Sequence, residues 1–138
     1  RFRTFMTGEL YQLLAERSVL RHSVGDGWDD DAFAAAVEEG LAGSGALSSG
    51  LFSVRAGALV SGLRPDQAAA RLSGLLLGAE LNASHRDMAE GPILIAGAGR
   101  LAAAYRRALR IAGADATTID VTEATLRGLT AAWKERTT

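Results

Sequence analysis

Cysteine is absent from the 138 residues of this chain, and lysine occurs once, at position 134. The first absence excludes disulfide staples, thiolate metal sites and a cysteine nucleophile, while saying little about compartment. The second matters because no glycine-rich stretch ends in Lys-Ser or Lys-Thr, so a Walker-type phosphate loop is excluded. Histidine is scarce too. His22 and His85 each sit in a polar stretch without a second histidine or a spaced acidic cluster, so both read as surface residues and no metal site is expected within this chain. No apolar run approaches the roughly 20 residues needed to span a bilayer. Positive charge is not in excess: the formal net charge is -1, which gives no pointer to nucleic acid. Arg1 to Thr7 lead into no secretory apolar core and cleavage site. A cytoplasmic globular domain, with neither membrane nor nucleic acid as partner, is the expectation.

What is plentiful is small and apolar. Hydrophobic residues make up 48% of the chain and glycine occurs 16 times. That suffices for one compact domain with a sizeable core and not for two independent ones. Abundant alanine and glycine permit close helix packing and close approach of backbone to a ligand.

Along the chain, Arg1 to Met6 reads as an extended entry on which Arg1 and Arg3 point one way and Phe2 the other. Thr7 is placed to cap a helix with Glu9 in its first turn, and Leu10, Leu13 and Leu14 share a face. The helix is expected to stop near Ser18. Asp29 to Asp31 prepare the next helix after a polar, glycine-rich loop. A third helix follows with Ser48 or Ser49 as cap and Leu51, Val54, Ala58 and Leu59 on its apolar side. Pro65 and Asp66 open the longest helix, where Ala68, Leu72, Leu75, Leu76 and Ala79 predict one buried stripe. Gly74 and Gly78 within it cost about 1 kcal/mol each in propensity, so a close neighbour is expected to compensate.

The character changes after Pro92. "ILIAGAG" reads as a buried parallel strand, and "RLAAAYRRALRIAGA" as a helix with Leu101, Ala104, Tyr105, Ala108 and Leu109 inward. "DATTIDV" gives a second strand, and Thr122 is placed to cap a last helix carrying Leu126, Leu129 and Trp133. Residues 1–90 are thus mainly helical and 91–138 run strand-helix-strand-helix. Two strands make a poor free-standing sheet, and the first residue is not Met, so further strands are expected upstream.

Gly97-Ala98-Gly99, between strand and helix, is the strongest local signal. Glycines there let a turn bend tightly and let phosphate or nucleotide approach backbone N–H groups at a positive helix end. An ordinary strand-to-helix turn needs the same small residues. Gly97, Gly99 and Ala102 also fit the dinucleotide pattern G-x-G-x-x-G/A, with Asp120 about 20 residues on, which would make this a fragment of a Rossmann-type NAD(P)-binding oxidoreductase. Too few residues follow Asp120, and too few strands precede, to favour it. A non-catalytic helical interaction domain is the third alternative. Arg55, flanked by apolar residues, either pairs with a buried carboxylate or reaches an anionic ligand. Thr7 and Glu9 could hold a sugar hydroxyl, or simply cap a helix.

"RFRTFMTGELYQLLAERSVL", "GLFSVRAGAL", "RLSGLLLGAEL" and "ILIAGAGRLAAAYRRALRIAGA" together resemble the C-terminal part of the 2-dehydro-3-deoxygalactonokinase family, in the right order over nearly the whole chain. The resemblance implies an α/β fold: the C-terminal lobe portion of an actin-like (ribonuclease H-like) ATPase. It implies a bacterial sugar-acid kinase that uses ATP and Mg2+ to phosphorylate 2-dehydro-3-deoxy-D-galactonate at its 6-hydroxyl. Its partner would be the N-terminal lobe of the same polypeptide, which carries the phosphate loop and catalytic carboxylate; a homo-oligomer is compatible with it. By the same resemblance, Gly97, Ala98, Gly99 and Arg100 would form the adenosine turn, and Thr7, Glu9 and Arg55 would be cleft candidates. The turn reads Ala-Gly-Ala-Gly where the family pattern has three successive glycines, which leaves the nucleotide-facing N–H groups unassigned. The chain alone is not expected to catalyse phosphoryl transfer.

Overall fold

The computed structural model describes residues 3–88, 91–97 and 99–136. Helices α1 (Thr7–Arg17), α2 (Asp30–Leu41), α3 (Ser44–Val60) and α4 (Pro65–Met88) come first, with a 3-10 turn at Val19–His22. Strand β1 (Ile93–Ala96), helix α5 (Gly99–Ile111), strand β2 (Ala116–Ile119) and helix α6 (Val121–Arg136) follow. The change from helices to strand-helix-strand-helix therefore falls where the sequence places it. Arg1, Phe2 and Ala98 lie outside the described residues. Among those described, no helix is long and apolar enough to cross a membrane.

Helix α4 organises the molecule. Pro65 supplies a pre-set φ in the first turn, Asp66 faces the positive helix end, and Gln67 Oε1 accepts from the Arg64 backbone N–H at 3.2 Å. The predicted stripe is only part of what α4 buries. Ala68, Leu72, Leu75 and Leu76 pack with Leu20, Ala36 and Val54, whereas Ala70, Leu77 and Leu81 join Phe33, Val37, Ala104, Ala108 and Leu109 on another side. A helix covered on two sides buries more than one stripe.

Gly74 and Gly78 explain how α2 comes so near. A Cβ at Gly74 would lie 2.6 Å from Phe33 O, and one at Gly40 of α2 would lie 2.6 Å from Leu75 O. A Cβ at Gly78 would collide with Val37 O. Backbone meets backbone here, and the packing offsets the propensity cost of the glycines.

Several helix starts differ from expectation. Thr7 does not cap α1; Met6 precedes the helix without a side-chain cap, because Thr7 Oγ1 is turned to Glu80. Ser48 and Ser49 lie inside α3, which begins four residues earlier at Ser44 after Gly43 at φ +122°. Asp120, not Thr122, caps α6 by accepting from Glu123 N at 2.9 Å. Asp29 caps α2 as anticipated, accepting from Ala32 N at 2.8 Å. The entry segment from Arg3 to Met6 is not a strand.

β1 and β2 are parallel, in register Ile93↔Ala116 to Ala96↔Ile119. Ile93, Ile95 and Ala116 pack towards α5, but Leu94 is 59% exposed, so the strand is covered on one face only. Leu59 and Leu101, both expected inward, are likewise exposed; Ala102 is buried where Leu101 was expected.

Candidate functional site

Gly99, the first residue of α5 after the β1–α5 turn, faces open space. Gly99 has φ +65°, the left-handed region in which a Cβ is strained, and a Cβ there would meet nothing within 4 Å. Glycine at 99 is therefore required by conformation alone. Gly97 has no positive φ, and its hypothetical Cβ would make ordinary contact, 3.7 Å from Ala102. The sequence treats the two glycines alike; the backbone separates them.

Beside this turn runs a cleft of about 770 Å³ between α1, the loop before α2, and α5. Thr7, Tyr11 and Trp28 line one side, Arg100, Arg106 and Arg110 the other, with Leu76 and Leu77 at the base. Two residues singled out from sequence, Thr7 and Arg100, thus meet in one cavity. Burial pushes the Tyr11 phenol above its ordinary value, with the Arg100 charge opposing that shift and Asp26 adding to it. Arg107 is held by Asp30 at 2.8 Å. A second cavity of about 350 Å³ lies against Gly97, Ile95 and Ala102.

Glu80 stands between the two cavities. Its Oε2 accepts from Thr7 Oγ1 and, at 2.9 Å, from the Tyr105 hydroxyl. This bond set ties α1, α4 and α5 together. Burial, then the Glu80 bond and charge, raise the Tyr105 phenol far above its ordinary value, so it remains a neutral donor.

A family model for 2-keto-3-deoxy-galactonokinase matches residues 1–132. The chain belongs to that family. The "Probable 2-dehydro-3-deoxygalactonokinase DgoK1" of Rhizobium meliloti (strain 1021) is 37% identical over 139 aligned residues, covering 95% of this chain and 44% of the relative. The crystal structure of a "putative 2-dehydro-3-deoxygalactonokinase protein from Sinorhizobium meliloti" is 36% identical and superposes with a TM-score of 0.88. It covers 98% of this chain and 45% of the other. The chain therefore spans less than half the length of these relatives. The helix-rich α/β fold is that of the sugar-kinase and actin-like ATPase superfamily, as in this relative.

Membership of the 2-keto-3-deoxy-galactonokinase family gives the glycine turn its context and leaves the dinucleotide reading without support, since Asp120 is engaged as the α6 cap. The remaining candidates lie elsewhere. Glu9 is exposed on α1 and lines neither cavity described above. Arg55 is half-buried and donates to Ser23 Oγ at 3.2 Å; among the described residues no carboxylate pairs with it, against the expectation of a buried ion pair. His22 and His85 are exposed. Among the described residues no group of three or more His, Asp or Glu side chains converges as metal ligands. Sequence reading missed Glu80 as the shared acceptor. Its only signal was a carboxylate interrupting the apolar periodicity of α4.

Proposed function

We propose that the intact protein phosphorylates 2-dehydro-3-deoxy-D-galactonate at its 6-hydroxyl with ATP, and that this chain is the C-terminal, adenosine-side lobe. The left-handed Gly99, on an open turn between a parallel strand and a helix N-terminus, is the observation that carries this reading. A nucleotide fits such a turn because the space beside Gly99 is open and the helix end is positive. Gly97, Gly99 and Arg100 would hold the adenosine moiety; Ala98, the fourth residue the resemblance assigns to it, lies outside the described residues. When bound, Mg-ATP supplies the transferable phosphoryl group. The described residues offer no acidic cluster for Mg2+, so the ion would be held chiefly by the companion lobe and the phosphates.

The chain's own part is to bind and orient. Arg100, at the mouth of the cleft and beside the turn, supplies fixed positive charge. Glu80, through Thr7 and Tyr105, keeps α1 and α5 at a set separation across that cleft. Arg55 and Glu9 lie outside the two cavities and are assigned no direct contact. Proton abstraction from the hydroxyl would fall to a carboxylate of the companion lobe, and the chain alone would not turn over substrate. A cytoplasmic location, with ATP at hand, belongs to the same reading. Incubating the intact protein with Mg-ATP and the sugar acid, and following the product by phosphorus NMR, tests it. A 6-phosphate ester is the expected product; no ester, or one at another hydroxyl, contradicts it.

A further inference from the structure

Thr7 and Tyr105 both line the larger cleft, and both hydroxyls donate to Glu80 Oε2. Of the two cavities Glu80 lines only the smaller, so from the larger cleft it stands behind the two hydroxyls. A threonine or tyrosine hydroxyl has a single proton, and here each proton is committed to the carboxylate. What is left to face the cleft is oxygen lone pairs. The Tyr105 proton is firmly held, because burial and the Glu80 bond raise its phenol far above the ordinary value. Two oxygens fixed in this way accept hydrogen bonds and cannot give them. They repel a phosphate or carboxylate oxygen, which also brings only lone pairs, and suit a group that donates.

We infer that Thr7 and Tyr105 accept hydrogen bonds from the ribose hydroxyls of the nucleotide, and so select a ribonucleotide over its deoxy analogues. The inference rests on the nucleotide reading proposed above and adds two specificity-determining residues to it. Shape and position choose the ribose. Two acceptors bonded to one carboxylate oxygen lie side by side, as the 2′- and 3′-hydroxyls of a ribose do. Tyr105 follows Gly99 by six residues on α5, roughly 9 Å along the axis at about 1.5 Å per residue. A nucleotide with its phosphates at the helix start therefore brings its sugar towards that pair. The phosphate oxygens, which need donors, find them on Arg100 and Arg110 in the same cleft.

The test measures binding of ADP, 2′-deoxy-ADP and 3′-deoxy-ADP to the intact protein by titration calorimetry, in the wild type and in Thr7→Val, Thr7→Ser and Tyr105→Phe. The wild type is expected to bind ADP about five-fold or more tightly than either analogue, because each analogue leaves a half-buried acceptor unpaired. Thr7→Val keeps the shape and loses the oxygen. It should bind ADP more weakly and prefer it by about two-fold or less over at least one analogue, and Tyr105→Phe should do the same. Thr7→Ser, which restores the hydroxyl, should restore the preference. Equal wild-type affinity for ADP and either analogue would overturn the inference and leave the nucleotide reading standing. So would a preference undiminished in both Thr7→Val and Tyr105→Phe. Absence of ADP binding would overturn the nucleotide reading and the inference with it. Should Thr7→Val fail to fold, Tyr105→Phe, which keeps the ring, decides the comparison.

Discussion

The Tyr105 hydroxyl donates to Glu80 Oε2 at 2.9 Å, and Thr7 Oγ1 donates to the same oxygen. A single carboxylate on α4 thereby fixes both walls of the larger cleft. Tyr105→Phe removes one donor while keeping the ring. The expected loss is about 1 kcal/mol of stability, read as a lowered urea midpoint with an unchanged slope. Glu80→Leu is expected to cost more, because it strands two half-buried hydroxyls at once. Equal stability for all three proteins would remove the strut from the account.

Alkaline pH should weaken the fold through the tyrosines. Tyr11 and Tyr105 both have phenols raised above the ordinary value of 10.0, first by burial. The folded state therefore holds these protons more tightly than the unfolded chain. Their contribution is fully present below about pH 10 and is lost as pH rises above it. Thermal melts between pH 8 and 11 should show stability falling from about pH 10 upward, and ultraviolet titration should find both phenols ionising late.

Acid acts on the opposite group. Asp29 is lowered from 3.8 first by the Ala32 N–H bond, with Gln67 and Arg64 assisting, and Asp66 is lowered first by its bond from Arg64. Both contributions are present above the unfolded value and are lost as pH falls through the lower folded values. Asp29→Ala should lower the melting temperature at pH 7 and flatten its dependence on pH below about 4, since the α2 cap and its Arg64 partner go together.

Two alanine substitutions separate glycine as packing from glycine as propensity. At Gly74 a methyl would meet Phe33 O at 2.6 Å and Ala36 Cβ at 2.8 Å, so Gly74→Ala should destabilise by about 1–3 kcal/mol despite its better helix propensity. At Gly128 of α6 nothing lies within 4 Å, and Gly128→Ala should stabilise by about 0.5–1 kcal/mol. Denaturant melts on both variants check the pair of signs.

These contrasts also show how far the sequence could be read. Where periodicity met a strong local signal, as at Asp29 or Pro65, element and boundary agree with the fold. The glycines of α4 announced a close neighbour but not that the neighbour would be α2 with its own Gly40. Helix starts were misread where a side chain had a better offer elsewhere: Thr7 prefers Glu80, 73 residues away, over its own helix end. Local capping rules carry no information about such a distant acceptor. The exposed Leu59, Leu94 and Leu101 defeated the inward assignment because periodicity reports which face is apolar, not whether this stretch of chain supplies the cover. Gly97 and Gly99 read alike in the sequence; only φ distinguishes Gly99, where a side chain would be strained, from Gly97.

The proposed seat of the nucleotide is the turn at Gly99, and steady-state kinetics of the intact protein tests that proposal most directly. Gly99→Val places a β-branched side chain at φ +65°, and Gly97→Val adds bulk beside Ala102. With thermal melts confirming folded protein, the prediction is an ATP KM raised about ten-fold or more for Gly99→Val, a smaller rise for Gly97→Val, and a nearly constant KM for the sugar acid. An unchanged ATP KM in the folded Gly99→Val protein, or a defect confined to the sugar acid, would contradict it.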